Sequence, residues 1–373
     1  MTTPTTPPKR NLVVCLDGTN NGPDTGATNV ARIFDIAQKS DDQLVYYDPG
    51  VGTMGARNAI TPLGHAATRV AGLIAGSGIK DNIEEAYIWL SQRYQKGDRI
   101  YVFGFSRGAY TARALTGMLR TVGLLRPGME NLAPYAVKLY AKNHKATPPD
   151  RADAASKAAD SHYWRQYREF MRYYSNPDFP NPFDTSAHQV RFLGVWDTVN
   201  SVGWLNLKGQ IEMATWPFTA KITNVEIARH ALAIDERRRP FKVNRFSFDA
   251  AANSNGRLRE MWFAGLHSDV GGVFPDDHQL SDIALSWIVK EAAAAGLLVD
   301  DRHYTHHLGV GIDDELPPER AMGRIHPNDK WWWLAGGWRE RRIRDGDEVH
   351  PSVLYRVVQT KSDKKPYHPD LAR

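Results

Sequence analysis

The residues best placed to do chemistry begin with Gly104-Phe-Ser-Arg-Gly108. A serine between two glycines, with a short apolar run before it and a helical pattern after it, fits a nucleophile held on a tight strand-to-helix turn. The glycines leave room for the turn and for substrate, and the helix N-terminus behind the serine favours developing negative charge. Ser106 is a weak nucleophile alone; it needs a base, and the base needs an orienting acid. Both should stand at the carboxyl ends of later strands, where open α/β sheets gather their chemistry. Val190–Trp196 is followed by Asp197, and Glu260–Leu266 is followed by His267. These give a Ser106-Asp197-His267 set in the chain order of an α/β-hydrolase. Of the thirteen histidines, only His350 competes with His267, because it precedes the strand-like Val353–Val358. Asp249 and Asp269 compete with Asp197; Asp269, two residues beyond His267, fits better as a residue that shapes the Gly271-Gly272 turn. An oxyanion hole would use the backbone N–H of Arg107 and those of the early loop at Gly18 and Thr19, with Asp17 holding that loop through an Asx-type turn.

These residues require a particular set of elements. Asn11–Leu16, Gln43–Tyr47 and Arg99–Phe103 are apolar runs of strand length, and Ile79–Tyr94 and Tyr110–Val122 carry helical periodicity. Such β–α alternation predicts the α/β class: a mostly parallel central sheet with helices on both faces. Residues 126–189 read as a helical insertion, with helices at Leu132–Tyr140 and Ala152–Tyr174; it is either a cap over the serine or a structural extension. The spacing further predicts a strand at Val190–Trp196, a helix at Val225–Asp235, a strand at Glu260–Gly265 and a helix at Ser281–Ala295 capped by Ser281 or Asp282. One domain over 11–360 is expected, between a tail at 1–10 and a charged tail at 361–373.

Composition excludes several classes. The chain has 373 residues and a net charge of +5, too mild an excess for a nucleic-acid surface. A single cysteine, Cys15, rules out an intrachain disulfide framework and a cysteine-based zinc site. No stretch has the length of a membrane span or the pattern of a signal peptide, so a cytoplasmic product is expected, with signal-less export left open. Nothing in the sequence sets an oligomeric state.

Four segments occur together and in order: Leu16-Asp-Gly-Thr-Asn20, Gly104-Phe-Ser-Arg-Gly-Ala109, Gly194-Val-Trp-Asp-Thr198 and Trp262-Phe-Ala-Gly-Leu-His-Ser-Asp-Val-Gly-Gly272. With them the chain resembles the uncharacterised α/β-hydrolase family DUF2235, which includes the catalytic domain of Tle1-type phospholipase effectors of type VI secretion. The resemblance covers roughly residues 11–360. It implies a Ser-Asp-His hydrolase, with Ser106, Asp197 and His267 in those roles, and a phospholipase A-like action on a lipid or other small ester, without a cofactor. Those effectors often carry a large extra membrane-contacting module, for which this chain has no room beyond its insertion and its C-terminal region.

Two further enzyme readings use the same residues differently. Leu16-Asp-Gly-Thr19 is similar to the phosphatase pattern D-x-D-G-T, but Cys15 stands where the nucleophilic carboxylate belongs. Asp17, Asp197, His267 and Asp269 are also suitable metal ligands for a phosphoester hydrolase. A third reading is a catalytically silent, hydrolase-like binding module. Eleven tryptophans are the other outlier. Trp204 and Trp216 follow Asp197 and could line a pocket. Trp331-Trp332-Trp333 and Trp338, followed by Arg339, Arg341, Arg342 and Arg344, suit a lipid–water interface. The alternative is that these rings pack back onto the domain while the arginines stay solvated.

Overall fold

The computed structural model describes residues 9–18, 27–50, 77–141, 154–184, 186–199, 216–247, 253, 255–327 and 337–369. Seven strands form one all-parallel sheet: β1 (Asn11–Leu16), β2 (Gln43–Asp48), β3 (Arg99–Phe105), β4 (Val190–Trp196), β5 (Val225–Ala233), β6 (Leu258–Phe263) and β7 (Glu348–Val349). Their order is β2-β1-β3-β4-β5-β6-β7. The order reverses between β1 and β3, which opens a crevice at the carboxyl ends of those two strands.

Alternation along β1 explains the two layers of helices. Leu12, Val14 and Leu16 join one buried cluster. That cluster includes residues of α2 (Ser77–Arg93), α3 (Arg107–Val122), α4 (Ala133–Ala141) and α5 (Ala154–Tyr174). Val13 and Cys15 join the opposite cluster, with α1 (Asn29–Ile36), α7 (Gln279–Ala294) and α8 (Asp301–Leu308). A short α6 (His267–Gly271) follows β6, and α9 (Pro351–Gln359) follows β7. Cys15 is wholly buried and its thiol is pushed far up by that burial. It is therefore inert, and the phosphatase-like alternative loses even a substitute nucleophile.

Three expected elements differ. Val225–Ala233 is a strand, not a helix; it is the interior strand β5, between β4 and β6 and buried nearly throughout. A strand covered on both faces shows no alternation, and its Val, Ile, Ala and Leu residues also satisfy a helical spacing. The segment after His350 is the helix α9 rather than a strand: Pro351 takes its first turn, and the His350 side chain accepts from the Ser352 N–H. Helix α7 starts at Gln279, behind His278, so Ser281 and Asp282 lie in its first turn instead of capping it. Of the insertion, α4 and α5 pack into the α2–α3 cluster through Val137, Tyr140, Tyr167 and Phe170. Tyr140 and Tyr167 also donate hydrogen bonds to the carbonyls of Pro217 and Leu139. Among the described residues no helix is long and apolar enough to cross a membrane.

Candidate active site

Strand register brings the expected residues to one edge. Leu16 pairs with Gly104, Phe105 with Trp196, Trp196 with Ala231, and Ala233 with Phe263. Asp17, Ser106 and Asp197 thus directly follow strand ends that stand side by side, Glu236 lies three residues beyond the end of β5, and His267 four beyond the end of β6. Ser106 sits between β3 and α3 with φ 59° and ψ −120°, left-handed backbone that a residue with a Cβ adopts only under strain. Its N–H donates to the Trp196 carbonyl at 3.1 Å. Both flanking glycines are needed. A Cβ on Gly104 would lie 2.5 Å from the Gly108 carbonyl oxygen, and one on Gly108 would lie 2.5 Å from that of Asp17.

Around Ser106 the polar atoms form one line. His267 Nε2 is 2.8 Å from Ser106 Oγ, and His267 Nδ1 is 2.5 Å from Asp197 Oδ2. Asp197, fully buried, accepts a further bond at Oδ1 from the Ala233 N–H at 3.1 Å. The imidazole lies between two phenyl rings, Phe105 at 4.7 Å and Phe241 at 4.9 Å between centroids. The His267 N–H donates to Glu236 Oε2 at 3.2 Å. Burial lowers the His267 pKa from 6.5, and the Asp197 carboxylate pulls it the other way. For Asp197 burial acts upward, but the Arg341 guanidinium and His267 outweigh it and hold the carboxyl well below the usual carboxylate range.

The rival residues are committed elsewhere. His350 caps α9 and stacks on Phe263 at 4.8 Å, with its pKa lowered by burial to about 4. Asp269 accepts from the Leu266 N–H at 2.9 Å and holds His326 Nδ1 at 2.6 Å, so its bonds tie the start of α6 to His326 and do not reach the Gly271-Gly272 turn. Asp17 accepts from Gly18 N–H at 2.6 Å, Thr28 Oγ1 at 2.5 Å and Tyr47 OH at 2.9 Å. The four proposed metal ligands do not converge, and among the described residues no group of three His, Cys, Asp or Glu is arranged to hold a metal ion.

On the oxyanion side, Arg107 is the first residue of α3, at the helix's positive end. The Gly18 amide is turned to Asp17 Oδ1, and Thr19 lies outside the described residues, as do Asp249, Trp204 and Trp331–Trp333. Trp216, half-buried, stacks on Tyr140 at 5.5 Å. Trp338 and Arg339 are exposed, but Arg341 is buried, contrary to the expectation of solvated arginines. Three neighbours of the site escaped the sequence reading: Arg341, Glu236 and Phe241. Arg341 carries no distinguishing signal in the sequence, since the burial that separates it from exposed Glu340, Arg342 and Arg344 is set by the fold. Glu236 was hidden by reading β5 as a helix, which removed the strand end that precedes it.

Residues 10–291 match the family described as the catalytic domain of Tle1-like phospholipase effectors of type VI secretion. The uncharacterized protein YEL023C of Saccharomyces cerevisiae is 33% identical over 243 residues, 62% of this chain and 32% of that protein. The chain thus spans about a third of that relative's length. Two solved structures show weaker likeness. An uncharacterized protein from Pseudomonas aeruginosa aligns with 19% identity and a TM-score of 0.44, over 79% of this chain and 47% of that one. The Tle1 effector bound to the VgrG spike of a type VI secretion system aligns with 16% identity and a TM-score of 0.31, over 71% and 51%. With its matched segment spanning β1 to α7 and both strand-end motifs, the chain belongs to the Tle1-like catalytic domain family, DUF2235.

Proposed function

We propose that this protein is a serine hydrolase of carboxylic esters, with lipid esters of the phospholipase A type as its substrate class. The observation that carries the reading is the continuous hydrogen-bonded line from Ser106 Oγ through His267 to Asp197, at 2.8 and 2.5 Å, on a strained strand-to-helix turn. The family's description as phospholipase effectors supplies the lipid.

His267 Nε2 takes the Ser106 proton as Oγ attacks the ester carbonyl, and Asp197 steadies the imidazolium that forms. The Arg107 N–H, at the positive end of α3, stabilises the tetrahedral oxyanion. The Gly18 amide joins it only by turning away from Asp17. The imidazolium then gives its proton to the leaving alcohol, and an acyl group remains on Ser106. Water, deprotonated by His267, releases the acid and frees the serine.

A fluorophosphonate probe should form one covalent adduct, located on Ser106 by peptide mass spectrometry, and vesicle phospholipids should lose a fatty acid at a rate the probe abolishes. A protein that hydrolyses phospholipid with Ser106 unmodified would refute the assignment. The pH dependence follows from the base. His267 must be neutral to accept the proton, and burial lowers its pKa from 6.5. The rate should therefore hold through neutral pH and fall only as pH drops through a value below 6.5. A kcat/KM profile whose acid limb lies above pH 7 would contradict this.

A further inference from the structure

Arg341 lies beyond the residues matched to the family, in the segment leading into β7, yet its guanidinium reaches the middle of the site. Nη1 donates to Asp197 Oδ1 at 2.5 Å and Nη2 to Oδ2 at 3.0 Å, a two-pronged pairing. The same nitrogens donate to the carbonyls of Ala233 and Phe241, each at 2.7 Å, so the fork is anchored to the end of β5 and to the short 3-10 helix Arg239–Phe241. Arg341 is 8% exposed and Asp197 0%. Half of the hydrogen bonds to the acid therefore come from this one residue, and the other half from the Ala233 N–H and His267.

We propose that Arg341 is a positioning residue for the ester hydrolysis: it fixes the Asp197 carboxylate with Oδ2 turned to His267 Nδ1 and balances the charge around the imidazole. The inference rests on the roles given above to Ser106, Asp197 and His267. A carboxylate gripped through both oxygens cannot rotate about its Cβ–Cγ bond, so the imidazole keeps the tautomer with Nε2 open to Ser106. Four charged groups cluster at the imidazole: Asp197 and Glu236, negative, and Arg238, positive, act on the ring itself, and Arg341, positive, acts on the two carboxylates. Asp269, on the same helix as His267, is occupied by Leu266 and His326. The balance is near neutral. Removing Arg341 leaves one net negative charge, which favours the imidazolium and raises the pH at which the base becomes protonated.

The test uses the full chain, with Arg341→Gln, Arg341→Lys, Asp197→Asn and the double variant Asp197→Asn/Arg341→Gln. The readouts are kcat and KM on a soluble ester against pH, and the rate of fluorophosphonate labelling of Ser106. Arg341→Gln should lower kcat roughly 10- to 100-fold, the scale on which outer partners orient a reacting group, with KM within about twofold. Its acid limb should move to higher pH by about one unit. Arg341→Lys, which keeps the charge but not the fork, should lose kcat and keep the wild-type limb. A residue that merely stabilises the fold would reduce the number of reactive sites and leave both the limb and the rate per site alone. In the Asp197→Asn background, adding Arg341→Gln should change the labelling rate by no more than about twofold. That double variant has no buried charge left unpaired, so it keeps the test open even if Arg341→Gln alone does not fold. Wild-type kcat and limb in Arg341→Gln, or a further large loss in the Asp197→Asn background, would overturn the inference. An unreactive Ser106 in the wild-type protein would instead bring down the serine-hydrolase reading, and this inference with it.

Discussion

Ser106→Ala is expected to lose ester turnover on the order of 10⁶-fold in kcat, the scale of nucleophile removal in a serine triad, with some residual rate from binding and the oxyanion donors. The fold should survive, because Ser106 makes no side-chain cap to α3 and, among the described residues, its hydroxyl is hydrogen-bonded only to His267 Nε2. Ser106→Gly should lose activity equally but gain stability over Ser106→Ala. At φ 59° and ψ −120° a side chain with a Cβ costs about 1–3 kcal/mol. Alanine retains that strain; glycine relieves it and gives back about 0.5–1 kcal/mol in unfolded-chain entropy. A net gain of about 1 kcal/mol follows, read as a higher urea midpoint at unchanged slope. An alanine variant as stable as the glycine variant would show that the backbone at Ser106 is not strained.

Ser106, Asp197 and His267 were legible as candidates because each is a local event. A small polar residue between glycines, and an Asp or His placed just after an apolar run, can be found without knowing what the run packs against. The sheet around them was mostly legible for the same reason. The errors share the opposite property. The strand β5 carries no alternation because both of its faces are buried, and only its pairing with β4 and β6 distinguishes it from a helix. The helix α9 was obscured by β-branched residues, although Pro351 at its first turn argued for helix. Arg341 reads as one arginine in a charged run, and its meaning comes from Asp197, 144 positions away in sequence. A buried charge is intelligible only with its partner, and that partner is a tertiary fact. The same holds for Glu236 with His267, and for Phe241, which flanks the imidazole from a 3-10 helix of three residues, too short to show a periodic pattern.

Gly108→Ala is the substitution expected to harm the fold most for its size. Gly108 is the second residue of α3, and it lies against the end of β1. An added Cβ would stand 2.5 Å from the Asp17 carbonyl oxygen and 2.6 Å from its carbonyl carbon, with the Leu16 oxygen closer still. All of these are backbone atoms, so no side chain can rotate to make room. β1 cannot slide away, since Leu16 is registered against Gly104 of β3 and Asp48 of β2. Asp17 cannot lift freely either, because its carboxylate holds Thr28 and Tyr47, and Thr28 caps α1. The remaining outlet is a displacement of α3 from the sheet, which carries Ser106 with it. The cost should be about 3 kcal/mol, the upper end for a methyl forced into packed structure, and Ser106 labelling should slow even in the folded fraction. Gly128→Ala is the matched control. Its φ is 87°, but nothing lies within 4 Å of the added Cβ, so only the backbone cost of about 1 kcal/mol applies, and Ser106 should react at the wild-type rate. Equal urea midpoints for the two variants would mean that the junction of β1 and α3 yields to a methyl group, and that the glycine after the serine serves substrate access rather than the closeness of helix to strand.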